Sequence, residues 1–230
     1  MLVADDVAEL RRDELFAQIA EAGFPCVGAK SALARGTLKV LVGHSLESAW
    51  DDVRIHSELI DWAQGWRSDP EGLRSLAVVY DSPTELTEQR FEALMWERLQ
   101  SLADKDEWRG QPYDRRVSPD PSNPHFSLSF GGEAFFVVGL HPGASRPARR
   151  FRHPTLVFNL HEQFEKLREQ GRYEKMRKTI LDRDLALAGS LNPMLSRYGE
   201  TSEARQYSGR QVGEDWQCPF HDKRSGSAPE

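Results

Sequence analysis

The chain has 230 residues, with 30 Lys and Arg against 36 Asp and Glu and a net charge of -6. This length suits one large domain or two small ones that fold on an apolar core without metal or disulfide support. The acidic balance lacks the basic bias that nucleic acid or an anionic membrane selects, so neither is expected as a partner.

The first half of the chain alternates helices with strands. Apolar residues spaced three and four apart indicate helices, and short apolar runs bounded by turn residues indicate strands. The predicted helices cover 5–22, 46–66 and 84–103. The predicted strands cover 37–42 and 75–80. An irregular turn is predicted at 24–30, and a polar loop is predicted at 104–124.

The second half begins with a β-hairpin. Two apolar runs, 126–130 and 133–140, flank Gly131-Gly132, a pair that adopts the positive φ values of tight hairpin turns. The remaining predicted elements are a strand at 155–160, helices at 162–170 and 173–188, a loop-rich region from 190 and a flexible polar tail at 221–230. Five strands and five helices with a hairpin predict a single α+β domain over 1–220, with a mixed or antiparallel sheet flanked by helices.

Cysteine content and hydropathy indicate the compartment. Cys26 and Cys218 match neither a zinc pattern nor a disulfide framework, which favours a reducing cytoplasm. The longest apolar run, from Ala134 to Leu140, is far shorter than the roughly 20 residues that a membrane helix needs. The N-terminus shows no signal-peptide pattern, so the expected location is cytoplasmic.

A basic segment follows the hairpin. Arg146, Arg149, Arg150 and Arg152 occur within a stretch that has no Asp or Glu from 134 to 160. These arginines therefore either face solvent or meet an anion from elsewhere, such as a carboxylate or phosphate. His141 ends the preceding strand, where a neutral imidazole would ligate iron, act as a base or simply form hydrogen bonds in a turn.

Other candidate residues are more dispersed. Each cysteine is either a small buried side chain or a thiolate ligand, and His161 lies where the next helix starts. In the long loop from 190 to 210, Glu203 is a candidate partner for a planar guanidinium, with a salt bridge to Arg205 or Arg210 as the alternative. No dinucleotide, Walker, serine-elbow or zinc-protease motif occurs.

Several segments together resemble the YqcI/YcgG family, from about residue 24 to residue 220. They are Phe24-Pro-Cys-Val-Gly-Ala-Lys30, Asn123-Pro-His-Phe-Ser-Leu-Ser-Phe130, Val137-Val-Gly-Leu-His-Pro142, Ser145-Arg-Pro-Ala-Arg-Arg-Phe151, Leu156-Val-Phe-Asn-Leu-His161, Gly189-Ser-Leu-Asn-Pro-Met-Leu195, Ser202-Glu-Ala-Arg-Gln-Tyr-Ser-Gly-Arg210 and Trp216-Gln-Cys-Pro-Phe220. The family includes heme-dependent N-hydroxylases that act on the guanidine group of L-arginine or related cyclic guanidino amino acids, in routes to cycloserine-type and guanitoxin-type natural products. Many other members have no assigned activity.

The resemblance implies heme b as cofactor, dioxygen as co-substrate, a small cationic guanidino or amino substrate and an external electron donor, because the chain has no flavin or nicotinamide motif. Oligomeric state is left open. Two alternatives remain: a heme-binding carrier or sensor without oxygenase activity, and an anion-binding interaction protein without heme.

Site residues are expected as follows. His141 is the expected axial iron ligand, with Cys26, then His161 and Cys218, as rivals. The expected cofactor contacts also include Lys30, Ser145, Arg146, Arg149 and Arg150, the arginines meeting the heme propionates. Glu203 is the expected partner of the substrate cation, in a site lined by Asn192, Tyr207 and Ser208.

Overall fold

The computed structural model describes residues 5–226. Its centre is one open five-stranded sheet with the strand order β1-β2-β5-β4-β3. The strands are β1 (Leu38–Ser45), β2 (Ser75–Ser82), β3 (Leu128–Phe130), β4 (Glu133–Leu140) and β5 (Thr155–Leu160). β1 and β2 are parallel, and the other neighbouring pairs are antiparallel. This mixed sheet with its β3–β4 hairpin confirms the predicted α+β fold.

Helices flank the sheet. They are α1 (Asp5–Ala20), α2 (Val27–Ala34), α3 (Asp52–Ser68), α4 (Glu88–Trp108), α5 (His161–Glu169), α6 (Tyr173–Ala188) and the short α7 (Ala204–Tyr207). Thr87 caps α4 because its hydroxyl accepts the backbone N–H of Arg90 at 3.2 Å. Gly189 ends α6 with a φ of 72°, the left-handed conformation that favours glycine.

The main core lies on the sheet face that α3 and α4 cover. Because side chains alternate along a strand, Leu76, Val78 and Tyr80 of β2 point to this face together. The core also contains Phe135 and Val137 of β4 and the fully buried Phe91 of α4. Burying each large apolar side chain contributes about 1.5–3 kcal/mol, so this face supplies most of the hydrophobic stabilisation.

The opposite face of the sheet is less completely packed. Leu15 and Ile19 of α1 and Ala32 of α2 join Ala77 and Val79 of β2 in a smaller core cluster. α6 also lies over this face, but Asp184 is the one residue of α6 that is fully buried. The apolar side chains of α6 are therefore only partly covered by protein.

Several predicted boundaries were wrong, and α3 begins at Asp52 instead of at 46. The segment expected to be an irregular turn at 24–30 instead starts α2, because the Cys26 sulfur acts as the N-cap and accepts the N–H of Ala29 at 3.3 Å. α4 continues to Trp108, past the predicted loop start at 104, because Asp106 is fully buried and pairs with His56 at 2.7 Å.

The described part of the predicted flexible tail, through residue 226, is held to the fold. Arg224 donates from Nη1 to Asp106 at 2.6 Å and from Nη2 to the Ser129 carbonyl at 3.2 Å. Asp222 is 3% exposed and accepts hydrogen bonds from Arg224. Residues 227–230 of the predicted tail lie outside the described residues.

Candidate functional site

A cavity of about 300 Å³ lies between the less packed face of the sheet and α6. Small side chains on the strands, including Ala77, Val138 and Val157, leave this space open. Its volume is at the lower end of the range of roughly 300–1,000 Å³ that small-molecule sites occupy. We call it the site cavity. Its walls come from α1, α2, the sheet, α5, α6 and the loop before α7.

One face of α6 lines the site cavity. Its lining residues recur at the helical spacing of three and four: Tyr173, Met176, Arg177, Ile180, Leu181 and Asp184. Such a stripe normally packs against a neighbouring element, and here it faces open space. The gap beside this face of α6 is large enough for a small ligand and has a largely apolar lining.

The Cys26 thiol lines the site cavity at the start of α2. It is half-buried and forms no disulfide. Burial raises the pKa of the thiol, while the backbone N–H of Ala29 and the Arg149 guanidinium act in the opposite direction. Because burial outweighs these two effects, the thiol is neutral in the empty site, and a bound metal would be needed to favour the thiolate.

Two arginines of the basic segment line the same cavity. Arg149 donates from Nη1 to the carbonyls of Gly139 and Tyr207, both at 3.1 Å, and burial lowers the pKa of Arg149 to about 10. Arg146 pairs with Asp184 and donates to the Ser190 hydroxyl at 3.0 Å, while its Nε atom is buried with no hydrogen-bond partner. Both side chains thus retain positive charge at the cavity wall.

The other two arginines of that segment lie elsewhere. Arg150 folds back to donate to the carbonyls of Ala144 at 3.0 Å and Ser145 at 3.3 Å. Arg152 pairs with Glu14 of α1 at 2.9 Å. Arg146 and Arg152 thus meet carboxylates from other parts of the chain, but the four arginines do not form one anion-binding patch.

Glu203 is the buried carboxylate of the site cavity. It is 6% exposed, and its Oε2 atom accepts hydrogen bonds from Ser127 Oγ at 2.9 Å and Tyr207 Oη at 3.4 Å. Burial raises the pKa of Glu203 to about 8. The alternative salt bridge to Arg205 or Arg210 is wrong, because Arg210 pairs with Glu92 and Arg205 lies over Trp216.

Two more predicted residues line the site cavity, His161 and Asn192. The His161 Nε2 atom is 3.7 Å from Glu203 Oε1, and burial lowers the pKa of His161 to about 4. Asn192 Oδ1 accepts the backbone N–H of Met194 at 2.9 Å. This bond leaves the amide nitrogen of Asn192 available to a ligand.

His141 does not line the site cavity. Its ring is fully buried and stacks on Phe91 of α4 at 4.3 Å, and neither ring nitrogen has a hydrogen-bond partner among the described residues. Burial lowers the pKa of His141 to about 4. Strand alternation explains this position: Val138 and Leu140 of β4 line the site cavity, so His141 points to the opposite face.

Six other candidates also lie away from the site cavity. Lys30 donates to the carbonyls of Ala20 and Glu21, Ser145 donates to Glu88, and Ser208 donates to Glu92. Arg150 closes its own loop, as described above. Cys218 packs against the main core, where burial raises the pKa of its thiol to about 12. Tyr207 is fully buried and reaches the site through its contact with Glu203.

The residues that α6 and the loop after it contribute to the site cavity, apart from Asn192 and Glu203, were not among the predicted site residues. Arg177 is half-buried at the cavity wall and has no hydrogen bond or ion pair within the described chain. Tyr198 lines the cavity and packs edge-on against His161 at 4.4 Å. The three-and-four spacing of Tyr173, Met176 and Ile180 was the available signal for the lining face of α6.

Residues 5–226 contain neither a cluster of side chains suited to a bare metal ion nor a helix suited to span a membrane. No group of three or more His, Cys, Asp or Glu side chains in this range is arranged to hold a bare metal ion. No helix in this range has both the length and the apolar character required to cross a membrane.

Comparison with known proteins gave one match. A model of the YqcI/YcgG family matches residues 15–221, which include every residue that lines the site cavity. No curated protein matches the chain. No solved structure matches it either.

Proposed function

We propose that this chain, which belongs to the YqcI/YcgG family, is a heme-dependent oxygenase that N-hydroxylates a guanidino or amino group of a small cationic substrate. One observation carries the proposal. A single cavity brings together a cysteine thiol, arginines and a buried carboxylate that forms no ion pair with an arginine or lysine of the described chain.

The lining of the site cavity suits heme. A heme site needs an axial donor, apolar walls and cations that face the propionates. Cys26 supplies a sulfur donor, and Phe24, Val138 and Val157 are among the apolar walls. Within the described chain, Arg177 forms no hydrogen bond or ion pair and Arg146 Nε has no hydrogen-bond partner, so both have donors left for propionates. At about 300 Å³ the space is small, so heme binding would move α6 outward.

Cys26, and not His141, would be the residue that binds the heme iron. The Cys26 sulfur lies at the cavity wall, whereas the His141 ring stacks on Phe91 on the other side of the sheet. His161 lines the cavity but its Nε2 atom faces Glu203, and Cys218 packs in the main core. Of the four candidates, Cys26 and His161 line the cavity, and Cys26 is the one that does not face Glu203.

The overall reaction would convert an N–H group, dioxygen, two electrons and two protons into an N–OH group and water. Bound heme would supply the reductive activation of dioxygen, with electrons from an external donor. The protein's own residues would hold the substrate nitrogen in place, exclude water and manage the protons.

Glu203 is the proposed partner of the substrate cation. Ser127 and Tyr207 both donate to Oε2, which leaves Oε1 free to accept an N–H of the substrate. With a pKa of about 8, Glu203 is mostly protonated in the empty site at neutral pH. A bound guanidinium would stabilise the ionised form, so substrate binding would release a proton. Asn192 offers its amide nitrogen to the same ligand.

The two alternatives are less well supported. An anion-binding protein would not account for the buried Glu203 carboxylate, and Arg150 and Arg152 already bond to backbone carbonyls and to Glu14. A heme carrier or sensor would use the same cavity and does not require Glu203.

Turnover tests the proposed function. Heme-loaded protein with dioxygen, a chemical reductant and L-arginine should yield an N-hydroxylated product, detected by mass spectrometry with oxygen from labelled dioxygen. Glu203→Gln should retain heme and lose most of this activity. If the heme-loaded protein binds guanidines and amines from a panel but oxidises none of them, the result contradicts the oxygenase function and supports the carrier or sensor function.

A further inference from the structure

His161 separates the site cavity from a second cavity. The second cavity, also of about 300 Å³, shares two lining residues with the first, His161 and Tyr198. Glu203 lines only the site cavity, and Glu165 lines only the second cavity. The imidazole is thus part of the wall between them.

The two ring nitrogens of His161 face different carboxylates. Nε2 is 3.7 Å from Glu203 Oε1, and Nδ1 is 3.8 Å from Glu165 Oε1. Both distances exceed a direct hydrogen bond, so one bridging water or a small side-chain movement would complete each link. The Tyr198 ring packs edge-on against the imidazole at 4.4 Å and holds its orientation.

The two carboxylates differ in their access to solvent. The Glu203 side chain is 8% exposed, whereas that of Glu165 is 40% exposed. Glu165 therefore exchanges protons with bulk water directly, and Glu203 does so only through its neighbours once a ligand fills the site cavity. The two ring nitrogens of His161 face both carboxylates, and Glu165 Oε1 also pairs with Arg168.

Charged groups from three parts of the fold surround His161. α5 contributes Glu165 and Arg168, the segment before β3 contributes Asp114 and Arg116, and the segment before α7 contributes Glu203. The acids and bases nearly balance, and burial keeps the resting ring neutral by lowering the pKa of His161 to about 4. A neutral imidazole has one N–H donor and one acceptor nitrogen, as a proton relay requires.

We propose that His161 relays protons between Glu165 on the solvent side and Glu203 in the site cavity. In the inward direction, the Glu165 carboxylic acid gives its proton to Nδ1, and Nε2–H gives its proton to Oε1 of Glu203. Glu165 ends ionised, Glu203 ends protonated and the ring changes tautomer, with no electrons transferred. Outward transfer reverses these steps and removes the proton that cation binding releases. The use of the relay in turnover rests on the proposed function, which consumes two protons.

The relay can be tested on the ligand-free protein. A laser-induced pH jump starts proton exchange, and time-resolved infrared spectroscopy follows the carboxylic acid C=O band of Glu203, identified by its loss in Glu203→Gln. To close the direct route from solvent, the site cavity is filled with a neutral apolar probe such as benzene. His161→Phe keeps a ring in the wall between the cavities but removes both nitrogens. Glu165→Gln removes only the carboxylic acid on the solvent side.

We expect the Glu203 band to relax more slowly by about tenfold or more in His161→Phe and in Glu165→Gln. The matched control Glu162→Gln changes the adjacent acid, which lines the second cavity and pairs with Arg116 instead of with His161, and it should relax at the wild-type rate. Added imidazole should restore fast relaxation in His161→Ala.

Wild-type relaxation in Glu165→Gln, a surface variant that will fold, would overturn the relay, as would a Glu203 band that never titrates. The results distinguish failure of the relay from failure of the proposed function. Slow relaxation in the variants of a protein that lacks oxygenase activity leaves the relay standing. Unchanged relaxation in the variants of an active oxygenase removes only the relay.

Discussion

Arg146 forms an ion pair with Asp184, which ties the loop after β4 to α6 across the mouth of the site cavity. Because Asp184 is the one buried residue of α6, this pair is a buried anchor of that helix over the sheet. The other ion pair between α6 and a different part of the described chain, Glu174–Arg197, is exposed.

Asp184→Asn should loosen α6 without unfolding the sheet. Loss of the charge leaves the half-buried guanidinium of Arg146 poorly compensated, at a cost of about 1–3 kcal/mol. Hydrogen exchange of α6 amides should accelerate relative to those of β4 and β5. The exposed pair Lys178–Asp182 on the same helix offers a matched control, and Asp182→Asn should change exchange little. Equal acceleration in both variants would remove the anchor role of Asp184.

Binding of a cation to Glu203 should depend on pH. Since the pKa of Glu203 is about 8, the fraction ionised and the affinity for L-arginine should rise about tenfold per pH unit below that value and level off above it. Calorimetry in buffers of different ionisation enthalpy should show proton release near neutral pH. Glu203→Gln should bind weakly with no such slope, and a wild-type affinity that is flat with pH contradicts the assignment.

The same carboxyl group should reduce the stability of the empty protein at alkaline pH. The folded-state pKa of Glu203 lies above the unfolded value, so the folded state holds the proton more tightly, and stability falls as pH rises from about 4.5 to about 8. In Glu203→Gln this fall should be smaller, with a difference on the order of a few kcal/mol above pH 8. Urea unfolding at several pH values measures it, and parallel curves for the two proteins would be the contrary result.

His141→Phe should be tolerated and should retain heme. The ring stacks on Phe91 and neither nitrogen has a described partner, so a phenyl ring replaces it without loss of a hydrogen bond. Because the pKa of His141 is lowered to about 4, wild-type stability falls as pH drops from about 6.5 toward 4. The variant should lose less stability over that range in urea unfolding. Loss of bound heme in a folded His141→Phe protein would restore His141 as the axial ligand.

Gly139→Ala should destabilise the protein. A Cβ atom there would lie 2.6 Å from Phe91 and 3.0 Å from the Tyr207 carbonyl, so β4 and α7 would have to separate. Overpacking of this kind costs about 1–3 kcal/mol. Gly65→Ala is a suitable control, because a Cβ at that helical position meets nothing within 4 Å. Similar melting temperatures for Gly139→Ala and the wild type would show that β4 and α7 are less tightly packed.

The fold was largely predictable from the sequence, because the strands and long helices carry clear apolar periodicity. α2 was missed since its start depends on a cysteine N-cap, a role that local composition does not reveal. Of the site, Cys26, Glu203 and Asn192 were recognised as candidates, and they do line one cavity.

His141 was predicted to lie at the site, but the alternation of side chains along β4 places it on the other face of the sheet. Counting by two from Phe135 and Val137 puts His141 on the main-core side of β4, whereas Phe136, Val138 and Leu140 line the cavity. That alternation is visible in the sequence, but which face of the sheet holds the cavity is not. The face depends on how α3, α4 and α6 pack, and this tertiary choice leaves no local pattern.

The most direct test of the heme assignment is the absorption spectrum of protein purified from cells supplied with iron and a heme precursor. Wild type and Cys218→Ser should both carry heme and show the Soret shift typical of thiolate ligation in the ferrous carbonyl form. Cys26→Ser should lose the heme or the thiolate signature while remaining folded by circular dichroism. A colourless wild-type protein, or an unchanged thiolate spectrum in Cys26→Ser, would contradict the account.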